Sequence, residues 1–331
     1  MKFSNCKKKC PETEEVDCGE ETCQEAICRH DAYISELFAR TDWLKGQLTG
    51  AGIGPFMIAY SADSGINNDD QTAMAASMAG HFPDIYLFGG DNNYPSGEQV
   101  TLENNWAAFS SPISQNVVFP ALGNHDMDTS PLGDEQTTKF SYLPNNKRYY
   151  HIFFQEGSVD IFVLNSGLNT ARVSVEPDGF VIGSDQYNWF ISQVGNSEGI
   201  FKIVMFHHPF VTGVSNAVVN GRLNEDMNWR FEQLGIDLVL NGHSHTAQHL
   251  ISNSLNILDV SSSVNVLRDM SSSETIYGSE ADNTKLIWGY ANPGESGDRL
   301  YATIEIVGRS IISTVRRIDN ANPVYAFAIN K

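Results

Sequence analysis

The chain has 331 residues and a formal net charge of −19, from 21 Lys and Arg against 40 Asp and Glu. That length can bury one large core with or without a small appendage, and so acidic a balance excludes the basic footprint of a nucleic-acid binder. No apolar run reaches the about 18 residues of a membrane-spanning helix, and the start Met1-Lys2-Phe3-Ser4-Asn5-Cys6-Lys7 lacks an apolar signal core.

The chain therefore reads as soluble, with its compartment open. The absence of an Asn-x-Ser/Thr sequon disfavours a glycosylated secretory protein. The negative field would repel a small phosphorylated substrate unless a local positive centre, such as two metal ions, overrides it.

Residues 1–30 read as a polar, cysteine-rich tail or appendage. Cys6, Cys10, Cys18, Cys23 and Cys28 are all of the cysteines, and no Cys-x-x-Cys occurs among them. Two disulfides with a spare thiol, an interchain link, a zinc knot (four cysteines, or three with His30) and a reduced tail all remain open. Residues 31–50 read as an amphipathic helix, with Asp31 as N-cap, Ile34, Leu37, Phe38, Leu44 and Leu48 as its apolar positions, and Gly50 as stop. Such a helix packs on the main domain or on a partner chain, which leaves self-association through residues 1–50 open.

From residue 54 to 318 strands and helices alternate, and this span reads as the catalytic domain, with 319–331 as a C-terminal extension. The apolar run 56–59 leads into Tyr60-Ser61-Ala62-Asp63. Asp69 or Asp70 can cap a helix through Met74 and Met78 to Gly80. Run 85–88 leads into Gly90-Asp91-Asn92-Asn93-Tyr94 and a helical stretch over 102–109. Run 117–119 precedes Leu122-Gly123-Asn124-His125-Asp126. Residues 149–154 and 159–164 look like a strand pair with Gly157 in the connection. Residues 185–194 form an amphipathic helix on Tyr187, Phe190 and Ile191. Run 203–206 leads into His207-His208-Pro209, a helix is expected over 225–234, and run 236–240 leads into Asn241-Gly242-His243-Ser244-His245. A short strand at 257–260, a long surface loop over 271–298 and a closing hairpin of 301–307 and 311–315 complete the pattern.

Short apolar runs alternating with helices read as buried parallel strands, and residues just beyond the C-termini of such strands converge on one crevice. Asp63, Asp91, Tyr94, Asn124, His207, His243 and His245 are thus aimed at one place. Asp63, Asp91, a Tyr94 phenolate and His245 suit a hard, highly charged ion such as Fe(III). Asn124, His207 and His243, with a bridging Asp91, suit Zn, Fe(II) or Mn. Two ions about 3.5–4 Å apart are the usual arrangement for in-line displacement at phosphorus, with a water between them as nucleophile. His81, His151 and His249 sit in contexts where packing or surface exposure is the simpler expectation, His81 at a helix exit.

This ordered set resembles the calcineurin-like metallophosphoesterases, and within them the small single-domain purple acid phosphatases. The pattern of that branch is Asp-x-Gly, Gly-Asp-x-x-Tyr, Gly-Asn-His-(Asp/Glu), Val-x-x-His-x-Pro and Gly-His-x-His. The chain reads Ala62-Asp63-Ser64-Gly65, Gly90-Asp91-Asn92-Asn93-Tyr94, Gly123-Asn124-His125-Asp126, Val204-Met205-Phe206-His207-His208-Pro209 and Gly242-His243-Ser244-His245. Most other members place a histidine two residues after the first Asp. Here Gly65 stands there and Tyr94 supplies the replacement ligand. Gln186-x-x-Trp189-Phe190 and His245-Thr246-Ala247-Gln248-His249-Leu250 are further similar segments, and the resemblance covers roughly residues 55–265. Ala62 departs from the usual glycine and Ser64 from the usual tryptophan.

The resemblance implies an α/β sandwich of two mixed sheets flanked by helices, with a dinuclear site at the strand C-terminal ends. It implies Fe(III) on Asp63, Asp91, Tyr94 and His245, and a divalent ion on Asp91, Asn124, His207 and His243. It implies a phosphomonoesterase of acid-phosphatase type acting on small phosphorylated substrates through a metal-bound hydroxide. His125 would contact the phosphate and protonate the leaving alkoxide, with Asp126 either orienting it or closing the turn. A further substrate-binding histidine of the family has no counterpart between Phe210 and Asn241, and His208 should point away from the site if the backbone there is extended. Two other expectations stay open: a phosphodiesterase of the same superfamily, and a virion- or surface-associated structural protein carrying a phosphatase-like domain.

Overall fold

A computed structural model describes residues 55–214, 224–261, 275–290 and 299–331. The chain divides into the units Met1–Ile53 and Gly54–Lys331. The cysteine-rich segment and the helix expected over 31–50 lie outside the described residues.

Among the described residues two mixed sheets dominate. The first takes its parallel half from β1 (Phe56–Ser61), β2 (Ile85–Phe88) and β3 (Val118–Pro120). The second is built around β4 (Tyr150–Phe154), β5 (Val159–Val163), β6 (Phe201–Met205), β8 (Leu238–Asn241), β9 (Ala247–Ser252) and β10 (Leu255–Val260). Its order is β12-β9-β10-β8-β6-β5-β4, with β12 at Thr284–Gly289, and β5, β6, β8 and β10 run parallel. A short pair joins β7 (Val211–Thr212) to β11 (Tyr277–Gly278). The first sheet is completed by the antiparallel strands β13 (Leu300–Val307), β14 (Ser310–Arg317) and β15 (Pro323–Asn330).

The alternation of side chains along each strand explains the layering. Ile203 and Met205 of β6 join the core between the sheets, together with Ile58, Leu87, Leu240 and Ile304. Val204 and Phe206 face the other way, into a second apolar cluster with Phe162, Phe190 and Trp229. Phe190 belongs to α5 (Asp185–Gly195), whose N-cap Ser184 accepts the amide hydrogen of Tyr187.

The preceding helices are α1 (Asp69–Ala79), α2 (Gln99–Asn105), α3 (Ser110–Ser114) and α4 (Asp134–Lys139). The cap of α1 is Asn68, one residue before the acidic pair expected to serve, and Asp69 and Asp70 instead occupy the first turn, where the helix dipole favours negative charge.

Several other expectations are corrected. Residues 102–109 split into the end of α2 and a 3-10 turn, Ala107–Phe109. Residues 225–234 form two 3-10 turns, Glu225–Met227 and Phe231–Leu234, because Arg230 adopts a left-handed φ of 53° between them. The span 271–298, read as loop, contains β11 and β12. β12 is a bulged edge strand, and its outward Ile287 masks the usual alternation.

The C-terminal extension is also more than that, since β15 is an edge strand of the first sheet. Its Tyr325 stacks on Trp288 of β12 at 4.5 Å, and its Phe327 stacks on His249 of β9 at 3.8 Å. The strand therefore ties the two sheets at one edge. His249 is a packed residue whose Nδ1 lies 2.7 Å from the Tyr325 hydroxyl, and burial pushes it down to about 4.

A chain ending at Ile318 should lose this seam. Each buried aromatic contributes about 1.5–3 kcal/mol, so the truncated protein should unfold at clearly lower urea concentration than the full chain. Coincident unfolding curves would show β15 to be dispensable.

Candidate metal centre

Every ligand predicted from sequence lies just past a strand end. Asp63 follows β1, Asp91 and Tyr94 follow β2, Asn124 follows β3, His207 follows β6, and His243 and His245 follow β8. The first four come from one sheet and the last three from the other. The sheets meet here through the Tyr60 hydroxyl, which donates to the Asn241 carbonyl at 2.5 Å, and through the Ala62 amide, which donates to the Val260 carbonyl at 3.0 Å.

The backbone at these positions is unusual. Asp63, Asp91, His243 and His245 have φ values of 55°, 55°, 69° and 56°, in the left-handed region that residues with a side chain seldom occupy. Such strain persists only where the surroundings over-determine it, and it gathers at functional sites.

The structure brings the predicted residues together in two groups. Asp63, Asp91 and His245 present ligand atoms within 4.8 Å of one another. The Tyr94 hydroxyl lies 3.2 Å from Asp63 Oδ1 and 3.0 Å from Asp91 Oδ2, and His245 Nε2 lies 3.1 Å from Asp63 Oδ1. On the other side His207 Nε2 is 3.0 Å from Asn124 Oδ1, 3.1 Å from His243 Nδ1 and 3.3 Å from Asp91 Oδ2. Its Nδ1 is held by the Gly89 carbonyl at 2.8 Å, the kind of outer contact that fixes a ligating ring. Asp91 sits between the groups.

Gly65 explains why the first group contains a tyrosine. A Cβ at Gly65 would lie 2.0 Å from the carbonyl carbon of Asn92. No histidine can stand there, and Tyr94 reaches the same pocket from the next loop.

The electrostatics favour a cation. Two carboxylates, Asp63 and Asp91, are almost fully buried beside each other. Burial opposes a charged ring at His207, yet Asp91 and Asp63 outweigh it and push His207 up to about 10. Burial likewise opposes ionisation of Asp91, but His207, His125 and His243 hold it well below the usual carboxylate range. The pocket thus favours positive charge despite its burial. An ion of higher charge is a better match, and the donor set, mainly oxygen on one side and mainly nitrogen on the other, can hold two of them.

His125 lies at the rim, its ring 4.5 Å from that of Tyr94 and its Nε2 4.0 Å from Asp91 Oδ2, with Nδ1 against the Pro95 carbonyl. Asp126 turns away from it. Its carboxylate accepts the amide hydrogens of Gly123 at 2.8 Å and Asn92 at 2.9 Å, so it closes the turn.

A scan against protein families matches residues 60–247 to the calcineurin-like phosphoesterases. The chain belongs to that family. Its fold is shared with a purple acid phosphatase, PPD1, from yellow lupin (TM-score 0.64, 12% identity, 84% of this chain and 54% of that one). The chain thus spans about half the length of the lupin protein. GAP50, the anchor in the inner membrane complex of Plasmodium, is similar at TM-score 0.62 and 14% identity, over 83% of this chain and 89% of that one. A dimetal phosphatase from Danio rerio is similar at TM-score 0.53 and 11% identity, over 83% and 98%. No curated protein sequence matches. Among the described residues no helix is long and apolar enough to cross a membrane.

Three residues of this phosphoesterase site escaped the sequence reading. His208 does not point away: its ring lies 4.3 Å from that of His243, and its ligand atom groups with those of His207 and His243. β6 ends at Met205, so the strand alternation behind the expectation no longer applies at 208. Ser166 Oγ holds His208 Nδ1 at 2.6 Å. Ser166 follows β5 as the other motifs follow their strands, and Asn165-Ser166-Gly167 after an apolar run was the available signal. Asp259 is buried beneath the Gly242-His243-Ser244-His245 loop, where it accepts from Ser244 Oγ, from Ser261 Oγ at 2.6 Å and from Gln248 Nε2 at 3.3 Å.

Burial, aided by the charge of Asp63 and opposed by the Ser244 and Ser261 hydroxyls, pushes Asp259 up to about 7. The native chain therefore holds this proton where the unfolded chain has released it. The resulting stabilisation is complete below the unfolded value and is lost as pH rises toward 7, at no more than about 1.4 kcal/mol per pH unit. Urea unfolding of chelator-treated protein at pH 4.5, 5.5 and 6.5 should show Asp259→Asn gaining on the wild type as pH rises. A constant difference across the three pH values would refute the assignment.

Proposed function

We propose that the chain hydrolyses phosphate monoesters, as an acid-phosphatase-like enzyme of the purple branch. In this reading Asp63, Asp91, Tyr94 and His245 hold Fe(III), while Asp91, Asn124, His207 and His243 hold Zn, Fe(II) or Mn. The observation that carries it is the Tyr94 hydroxyl placed between Asp63 and Asp91, opposite a glycine that leaves no room for a histidine. A phenolate with two carboxylates is a hard, anionic donor set that suits a trivalent ion. A fold alone hosts many functions, so the reading rests on these side chains and not on the sandwich.

Two metal ions, when bound, activate water and offset charge on the phosphoryl oxygens. The chain's own residues do the rest. The Pro95 carbonyl can only accept, so His125 Nδ1 carries a hydrogen toward it. The transferable proton of His125 is then the one on Nε2, at the open side of the pocket, where a leaving alkoxide would take it. This role needs a hydrogen on Nε2 as well as on Nδ1. Asp126 keeps the Gly123 and Asn92 amides in place and so positions the neighbouring Asp91 and Asn124.

Metal analysis and a visible spectrum of the purified protein test the reading first. Iron, with a charge-transfer band that Tyr94→Phe abolishes without unfolding the chain, is the expected result. A colourless, iron-free protein that is active with other metals would instead place it among the general phosphoesterases. His125→Ala should lower kcat for 4-nitrophenyl phosphate by about 10²–10⁴-fold while leaving metal content unchanged. Faster turnover of bis(4-nitrophenyl) phosphate than of the monoester would identify a phosphodiesterase.

A further inference from the structure

Asparagine is a poor helix former, yet Asn105 stands in the last position of α2 and is almost fully buried. Its side chain is spent on two of the loops that carry metal ligands. Its Nδ2 donates to the Tyr94 carbonyl at 2.8 Å and to Asn93 Oδ1 at 2.8 Å, and its Oδ1 accepts the Asn67 amide hydrogen at 3.1 Å. A carbonyl can only accept and a backbone amide can only donate, so these partners fix which way round the side-chain amide sits. One turn earlier on α2, Thr101 Oγ1 lies 2.7 Å from the same Asn93 Oδ1.

The main chain of Asn105 joins the same clasp. Its carbonyl accepts from Gln71 Nε2 at 2.6 Å, and Gln71 Nε2 also donates to the Ser64 carbonyl at 2.7 Å. Gln71 is buried in α1, and Ser64 is the neighbour of Asp63. The two loops are also zipped to each other. The Gly65 amide donates to the Asp91 carbonyl at 3.1 Å, and the Tyr94 amide donates to the Gly65 carbonyl at 3.0 Å. Asn105 therefore grips both sides of this zip and anchors it to two helices.

The Tyr94 hydroxyl is the far end of a long side chain, so a small turn of its backbone swings the oxygen off both Asp63 and Asp91. The bond from Asn105 to the Tyr94 carbonyl restrains that turn. The bonds to Asn67 and, through Gln71, to Ser64 restrain the loop of Asp63. Resting on the reading of Tyr94 as a ligand, we propose that Asn105 is a positioning residue of the metal centre. It sets the Tyr94 hydroxyl against Asp63 by clasping the first two ligand loops to the end of α2. Outer contacts of this kind decide how well a ligand meets its ion, and their loss costs about 10–100-fold in metal affinity. The effect falls on the group of Asp63, Asp91, Tyr94 and His245. The other group keeps Asn124, His207 and His243, and its share in Asp91, whose Oδ1 accepts from the His125 amide at 2.9 Å.

Calorimetric titration of the chelator-treated full chain with zinc chloride tests this, with Tyr94→Phe marking which site bears the tyrosine. Asn105→Ala should weaken that site by about tenfold or more and change the other by less than about twofold. Added to Tyr94→Phe, it should cost less than about twofold further, because residues that act through one another are not additive. Asn105→Ser, which keeps a hydroxyl in the buried place, is read in the same way if the alanine variant does not fold. Unchanged zinc affinity, equal weakening of both sites, or a loss that adds in full to that of Tyr94→Phe overturns the assignment. A second readout needs no metal. In the chelator-treated chain Asn105→Ala should speed hydrogen exchange at the Gly65 and Tyr94 amides about tenfold and leave the β9 amides unchanged. Unaltered exchange at Gly65 and Tyr94 also overturns the clasp. If Tyr94→Phe weakens neither zinc site, the ligand reading fails and the exchange rates alone decide the role of Asn105.

Discussion

Two carboxylates, Asp63 and Asp91, are buried side by side within reach of a single phenolic hydroxyl. Like charges removed from water repel strongly, and the arrangement persists only if positive charge is supplied. Asp91 and Asp63 accordingly favour the charged form of the His207 ring against its burial. The placement of Tyr94, the left-handed backbone at Asp63, Asp91, His243 and His245, and the convergence of two sheets all hold these carboxylates together.

The two sheets contribute unequally. The first provides the oxygen donors Asp63, Asp91, Tyr94 and Asn124, and the second provides the nitrogen donors His207, His243 and His245. Each group nevertheless draws on both sheets, since His245 of the second joins Asp63 and Asp91 and Asn124 of the first joins His207, and Asp91 lies where the groups meet. Contacts such as Tyr60 to Asn241 and Ala62 to Val260 fix the distance between the halves, so the spacing of the donors is a property of sheet packing as well as of the loops.

Much of this was legible in the amino-acid order. Buried parallel strands need short continuous apolar runs, and the polar residues that follow them have nowhere else to go than the crevice at their ends. That reasoning located Asp63, Asp91, Tyr94, Asn124, His207, His243 and His245 without any structure. It failed where the signal is not local. β12 and β15 sit at sheet edges, where outward residues such as Ile287 blur the alternation. His208 lies one residue past the reach of strand geometry. Ser166 had a local signal in Asn165-Ser166-Gly167, but its partner His208 is 42 residues away, and Asp259 carries no motif of its own. The fate of residues 1–53 lies outside the described residues.

The near-contact of Gly65 with the Asn92 backbone has an evolutionary implication. A lineage that began with this loop geometry could not exchange Tyr94 for a histidine at position 65 by one codon change. The incoming side chain would wedge the first two loops apart and separate the very carboxylates it was meant to join. The side chain at this place is in this sense inherited with the path of the main chain, and descendants would be expected to vary the rim long before they vary the pocket between Asp63 and Asp91.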